Sequence, residues 1–175
     1  MPFVRTISEA EAAGQLADLY HRLAYQDGSV DEAYRVLSLN PALLSADAAM
    51  YDTTMYGESP LSRSERELLA LTVSRLNGCE RCFRHHSARY SELADSKATS
   101  QVQARPTQAR SEREGVLVAF AEKLTSAPAG ITAADLEPLR RVGLDDRGVL
   151  DACNTVAYFN YANRMALGLG LAPRT

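Results

Sequence analysis

The sequence predicts an all-α fold, a bundle of about six to eight helices of ordinary length, and three observations carry that prediction. Apolar residues recur at three- and four-residue spacing through nearly every long segment. Several segments open on capping combinations: Ser8 with Glu11, Ser62 with Glu65, and Thr132 with Asp135. No alternating strand pattern, glycine-rich phosphate loop or G-x-S-x-G elbow interrupts the series.

Taken in order, residues 8 to 25 form the first expected helix, with Ala12, Leu16, Leu19 and Leu23 on its apolar face. His21 lies on the polar side as a surface histidine, and Gly28-Ser29 ends the segment. A short second helix from Asp31 to Leu39 runs into Asn40-Pro41, where the proline starts a third that continues to Tyr56. Leu43, Leu44, Ala48, Met50 and Met55 keep its helical spacing, and Met50, Tyr51, Met55 and Tyr56 read as core or subunit contacts. A fourth helix opens at the Ser62–Glu65 box and carries Leu68, Leu69, Leu71, Val73 and Leu76. Asn77-Gly78, both tolerant of positive φ, stops it, so that Cys79 falls in the first turn of a fifth helix that fades near Leu93.

Residues 95 to 111 are polar and broken by Pro106, the composition of a solvated connector. The helix that follows carries Val116, Leu117, Phe120, Ala121 and Leu124 and ends before Pro128. Its opening, RSEREG at 110–115, echoes RSEREL at 63–68, as an old duplication of paired helices would leave it. A short helix through Leu136, Leu139 and Val142 stops at Gly143. Asp145-Asp146 then open the longest helix, apolar nearly all round and therefore central or at an interface. Its polar intrusions Asn154, Asn160, Asn163 and Arg164 read first as hydrogen-bonded bridges between helices or subunits and second as groups facing an active-site cavity, and Cys153 as a small core residue.

Composition bounds the function. With 175 residues and 46% hydrophobic content, residues 1–175 suffice for one domain that buries a core without disulfides. A formal charge of -3 and a pI near 5.6 leave no basic footprint for nucleic acid. No segment has the unbroken apolar length of a membrane span, and MPFVRTISEAEA lacks the apolar core of a signal peptide. A cytoplasmic location is the expectation, and in that reducing setting C-x-x-C means redox or metal chemistry rather than a staple.

The chemistry concentrates in LSRSERELLALTVSRLNGCERCFRHHSARY, residues 61–90, which holds two of the three cysteines and two of the three histidines. Cys79, Cys82 and His86 stand at i, i+3 and i+7, one face of a helix. Near a helix N-terminus a thiol pKa falls from about 8.5 to roughly 3.5–7.5, so Cys79 or Cys82 is a candidate thiolate at neutral pH. His86, one turn past Cys82, can exchange a proton with it, whereas His85 points about 100° away. Glu67 shares a face with Ala70, Leu71 and Ser74 and is expected to be partly buried, its pKa raised toward values useful for proton transfer.

Glu67, eleven residues, Cys79, two residues, Cys82, three residues, His86, set in RELLALTVSRLNGCERC, resembles the signature of the alkylhydroperoxidase D-like branch of the carboxymuconolactone decarboxylase superfamily. AYFNYANRMALGLGL is similar to the closing helix of its peroxidase-related members, and the likeness runs from about residue 35 onward. The resemblance implies an alkylhydroperoxidase D-like helical bundle that assembles into homo-oligomers: dimers, trimers or hexamers. It implies that Cys82 is the peroxidatic thiol, Cys79 the resolving thiol, and Glu67 with His86 the proton relay. The substrate would be a hydroperoxide, reduced without metal or flavin, and an external dithiol of lipoyl or thioredoxin type would restore the thiols. The best-studied members carry a second histidine between the cysteines, where this chain has Arg81. A guanidinium there can stabilise a thiolate, but it stays charged and cannot shuttle protons.

The expected function is therefore a thiol-dependent, alkyl hydroperoxidase-like oxidoreductase. Two other classes compete with it. One is a zinc site of Cys79, Cys82 and His86 with His85, Cys153 or His21 as fourth ligand, although structural zinc usually takes two ligand pairs and the sequence has no second pair. The other is a non-catalytic helical oligomer acting as redox sensor or scaffold; decarboxylating members of the superfamily generally lack the paired cysteines.

Overall fold

The computed structural model describes residues 2–93 and 111–171. The expected connector at 95 to 111 lies, apart from Ser111, outside them. Among the described residues there are eight α-helices and no strand: α1 (Gln15–Leu23), α2 (Glu32–Arg35), α3 (Pro41–Tyr56), α4 (Arg63–Leu76), α5 (Glu80–Leu93), α6 (Glu112–Ser126), α7 (Glu137–Arg141) and α8 (Asp146–Gly168).

Helix α4 is the axis of the packing and touches α3, α5, α6 and α8. Its start is fixed by a complete capping box: the Ser62 side chain accepts from the Glu65 amide, and the Glu65 carboxylate accepts from the Ser62 amide at 2.7 Å. From Arg66 to Ser74 every residue is buried, polar ones included. Each buried polar group has a partner, as burial demands. Arg66 donates to the carbonyls of Leu61, Thr54 and Gly57, while the Thr72 and Ser74 hydroxyls donate to the carbonyls one turn back.

The main core, with Met55, Leu69, Val73, Leu117, Phe120, Leu139, Val156 and Phe159, joins α3, α4, α6, α7 and α8. A second core gathers Leu16, Leu19, Tyr20, Val36, Leu37, Leu44, Cys79 and Ala166 beneath the N-terminal segment. The site described below lies between the two.

Three expected helices are shorter than their apolar pattern. Ser8 and Glu11 do bond, the Ser8 amide donating to the Glu11 carboxylate at 3.0 Å, but they close a turn. The first helix begins only after Gly14, whose φ of 54° breaks the ladder. Asp31 caps α2, yet beyond Val36 the chain continues in i to i+3 bonds, Leu37 to Tyr34 and Ser38 to Arg35, rather than as helix to Leu39. The segment from Thr132 splits into a 3-10 turn, Ala133–Asp135, and α7, because Pro138 has no amide to carry the ladder across. Helices α3, α4 and α8 stand where the caps put them.

Candidate active site

Helix α5 begins at a turn built for it. Gly78 takes φ 67°, a left-handed value in which other residues are strained, and nothing within 4 Å crowds its α-carbon. The Cys79 amide donates to the Ser74 carbonyl at 2.9 Å, and the Cys79 carbonyl accepts from Phe83 at 2.8 Å, so Cys79 stands just ahead of Glu80 as the residue that starts the helix. The positive end of α5 thus lies against the sulfurs.

The two sulfurs are 2.7 Å apart and share a hydrogen. That bond, helped by the Cys82 amide and Arg81 and opposed by burial, pulls the Cys79 thiol down to about 7. The same contact, with burial, pushes Cys82 up. One proton leaves this pair near neutrality, and the remaining one is held between two sulfurs by the charge left behind. Cys79 is buried at 2% exposure, whereas Cys82 faces a cavity of about 400 Å³. A substrate in that cavity therefore meets Cys82.

Glu67 and His86 come together as expected: Nδ1 of His86 and Oε2 of Glu67 are 2.6 Å apart, and both groups are buried. The other carboxylate oxygen accepts from Arg63 Nε at 3.1 Å and Nη2 at 2.6 Å. The expected rise of the Glu67 pKa is corrected here. Burial does push it up, but the hydrogen bonds and charges of His86 and Arg63 outweigh burial and hold the carboxyl below its ordinary value. Glu67 is thus a fixed anion that orients His86, which with Cys82 lines the cavity.

His85 packs edge-to-face on His86 with ring centroids 4.9 Å apart, and burial pushes its pKa down to about 4, so it is neutral at pH 7. Arg81 is buried beside the thiols, where its charge favours thiolate, and is anchored to Asp31 Oδ1 at 2.6 Å and Glu32 Oε2 at 3.4 Å. Of the other proposed zinc ligands, His21 is exposed and Cys153 packs on the main core. No group of three or more His, Cys, Asp or Glu side chains suited to a metal occurs among the described residues.

Sequence reasoning half-read one feature of the site and missed another. Asn163, read as a bridge, is a bridge and more: it accepts from Asn77 Nδ2 at 3.1 Å, donates to Ser74 Oγ at 3.2 Å, and also reaches the Cys82 thiol. Its signal was an asparagine in an otherwise apolar stretch of α8. The second is the cavity wall. Six of the eight tyrosines line it; Tyr51, read as a core or subunit contact, does pack on the main core and also lines the cavity, as does Tyr56. No local signal marks them, because the wall is assembled from five separate segments.

Residues 41–99 match the model of the carboxymuconolactone decarboxylase family. A search of the curated proteins gives no match. Among solved structures, an uncharacterized peroxidase-related protein from Silicibacter sp. TM1040 is 31% identical with a TM-score of 0.81, over 99% of this chain and 94% of that one. An uncharacterized peroxidase-related protein from Ralstonia eutropha JMP134, described as an alkylhydroperoxidase AhpD core, is 28% identical with a TM-score of 0.80, over 98% and 94%. The debrominase Bmp8 shares the fold at 17% identity and a TM-score of 0.78, over 99% and 92%, and has also been solved, as a cysteine-to-alanine variant, with 2,3,4-tribromopyrrole.

Proposed function

The chain belongs to the carboxymuconolactone decarboxylase family, in its alkylhydroperoxidase D-like, peroxidase-related branch, and from that premise we propose that it is a thiol-dependent reductase of organic hydroperoxides. One observation carries the proposal: a buried dithiol, 2.7 Å between sulfurs, opens through Cys82 alone into a cavity that His86 also lines.

In the proposed cycle the proton shared by the sulfurs shifts to Cys79, and the Cys82 thiolate attacks the terminal peroxide oxygen. The O–O bond breaks, the alcohol leaves with a proton relayed through His86, and Cys82 becomes a sulfenic acid. Cys79 then attacks the Cys82 sulfur, water leaves, and a disulfide closes. An external dithiol of lipoyl or thioredoxin type returns both electrons by exchange. No metal or flavin enters this scheme. Self-association and a cytoplasmic setting belong to the same proposal; among the described residues no helix is long and apolar enough to cross a membrane.

The aromatic wall favours a second reading, reductive removal of bromine from an aromatic ring. There two thiols and an aryl bromide would give the arene, hydrogen bromide and the Cys79–Cys82 disulfide.

The test is mass spectrometry of the reduced protein before and after one equivalent of cumene hydroperoxide, with peptide mapping. Loss of two hydrogens mapped to Cys79 and Cys82 is expected. Cys79→Ser should stop at a trappable sulfenic acid on Cys82, and Cys82→Ser should show none. Intact thiols after long exposure would sink the peroxidase reading, and bromide release from a brominated pyrrole would then favour the second.

A further inference from the structure

The far wall of the cavity carries a charge that the thiol chemistry does not use. Asp47 and Tyr51 lie one turn apart on one face of α3, and Tyr158 and Tyr161 lie three residues apart on one face of α8. All four line the cavity, with Tyr34 beside them. The rings are tilted rather than stacked: Tyr51 to Tyr158 is 6.2 Å at 49°, and Tyr158 to Tyr161 is 6.2 Å at 45°. Each ring borders the cavity, where a cation can meet it.

Within this aromatic setting the Tyr158 hydroxyl donates to Asp47 Oδ1 at 3.3 Å. Among the described residues no lysine, arginine or histidine forms an ion pair with Asp47. The other charges on the wall are accounted for. Arg81 is held by Asp31 and Glu32, and Arg89 by Glu92, while Arg22 and Asp52 are exposed. Burial raises the Asp47 carboxyl above its ordinary pKa, with only the Tyr158 hydroxyl acting the other way, which fits a carboxylate lacking a cation.

We propose that Asp47, with Tyr34, Tyr51, Tyr158 and Tyr161, forms a subsite for the ammonium group of a small organic amine. Aromatic faces attract a desolvated cation, and a half-buried carboxylate that forms no ion pair gains from one placed beside it. A neutral ligand leaves Asp47 uncompensated, and an anion is repelled by it. The enclosed volume of about 400 Å³ suits a small molecule better than a peptide. That the bound amine also carries the hydroperoxide that Cys82 reduces rests on the thiol reading above; the subsite itself does not.

The experiment is equilibrium binding by titration calorimetry on the reduced full chain, without peroxide, so that its outcome is separate from the fate of the thiol proposal. Benzyltrimethylammonium is compared with benzyl alcohol and benzoate. The cation is expected to bind at least about tenfold more tightly than either, the scale of a desolvated cation–π contact plus a charge pair. Asp47→Asn should remove about that factor and Tyr161→Ala, at a partly exposed ring, should remove part of it. Three ligands binding alike, benzoate favoured, or no cation binding would overturn the proposal. So would full cation affinity in Asp47→Asn with an unaltered circular dichroism melt, or, should that variant not fold, in Tyr161→Ala.

Discussion

In the proposed function two residue pairs carry the chemistry, and each makes a prediction of its own. Because the Cys79–Cys82 bond pulls the first thiol down to about 7, thiolate accumulates as pH rises through neutrality. The rate of alkylation by iodoacetamide should climb with a midpoint near that value, and Cys79→Ser should move the midpoint upward, because the thiol drawn down to about 7 is gone and burial raises the one that remains. A midpoint that ignores Cys79 would mean that the sulfurs do not share their proton. Glu67 is a buried carboxylate held below its ordinary pKa by His86 and Arg63 despite burial. Its stabilisation is complete above the ordinary carboxylate range and is lost as pH falls through the lowered value. Glu67→Gln should cost about 3 kcal/mol in urea unfolding at neutral pH, the lower end for removing one partner of a buried pair, since Arg63 is partly solvated. A cost under about 0.5 kcal/mol, the level of surface changes, would show the pair to be energetically idle. Spacing together with the family resemblance was enough to single out Cys79, Cys82, His86 and Glu67, which the fold brings together in two pairs. Neither could give the sign of the Glu67 shift, because Arg63 acts on it from one turn away and only the fold shows that guanidinium turned inward.

At the scale of elements the capping chemistry was the readable part. Asn40, Ser62, Ser111 and Asp145 each accept from a backbone amide of the helix that follows, and those four helices begin where the sequence put them. The apolar pattern alone was a poorer guide. Leu39 continues a helical pattern, but the backbone there has already tightened into turns, and its side chain is 52% exposed. The turn between α4 and α5 is the element on which the site depends. Gly78→Ala meets no steric obstacle, so its cost is the left-handed backbone alone, about 1–2 kcal/mol. Thermal unfolding should show that loss together with slower thiol oxidation, as the start of α5 shifts; stability unchanged would show that the turn relaxes freely. The echoed RSERE segments also meet in space. Arg113 of the second binds Glu65 of the first, and Glu114, at the place matching Glu67, accepts from the Tyr90 hydroxyl instead of a histidine.

For the whole molecule the sequence told the class, while the cavity came only with the fold, and the long helix α8, expected to be central or at an interface, packs against α4, which is the axis. The cavity wall draws residues from the N-terminal segment, α3, α5 and α8 that are far apart in the chain, and no periodicity relates Tyr34 to Tyr161. The sulfurs, in contrast, belong to one turn. Bringing them from 2.7 Å to the 2.05 Å or so of a disulfide moves atoms by well under one ångström. Heteronuclear NMR of the reduced and oxidised chain should therefore show shifts confined to about residues 74–90 and the facing part of α8. A rearrangement reaching α1 or α6 would contradict that. A messenger has to change its outline to be read from outside, whereas in the proposed cycle this chain would store two electrons with almost no change of outline. On that proposal its oxidation state would be legible only to a molecule that enters the cavity and touches the sulfur, the behaviour of a reagent more than of a signal.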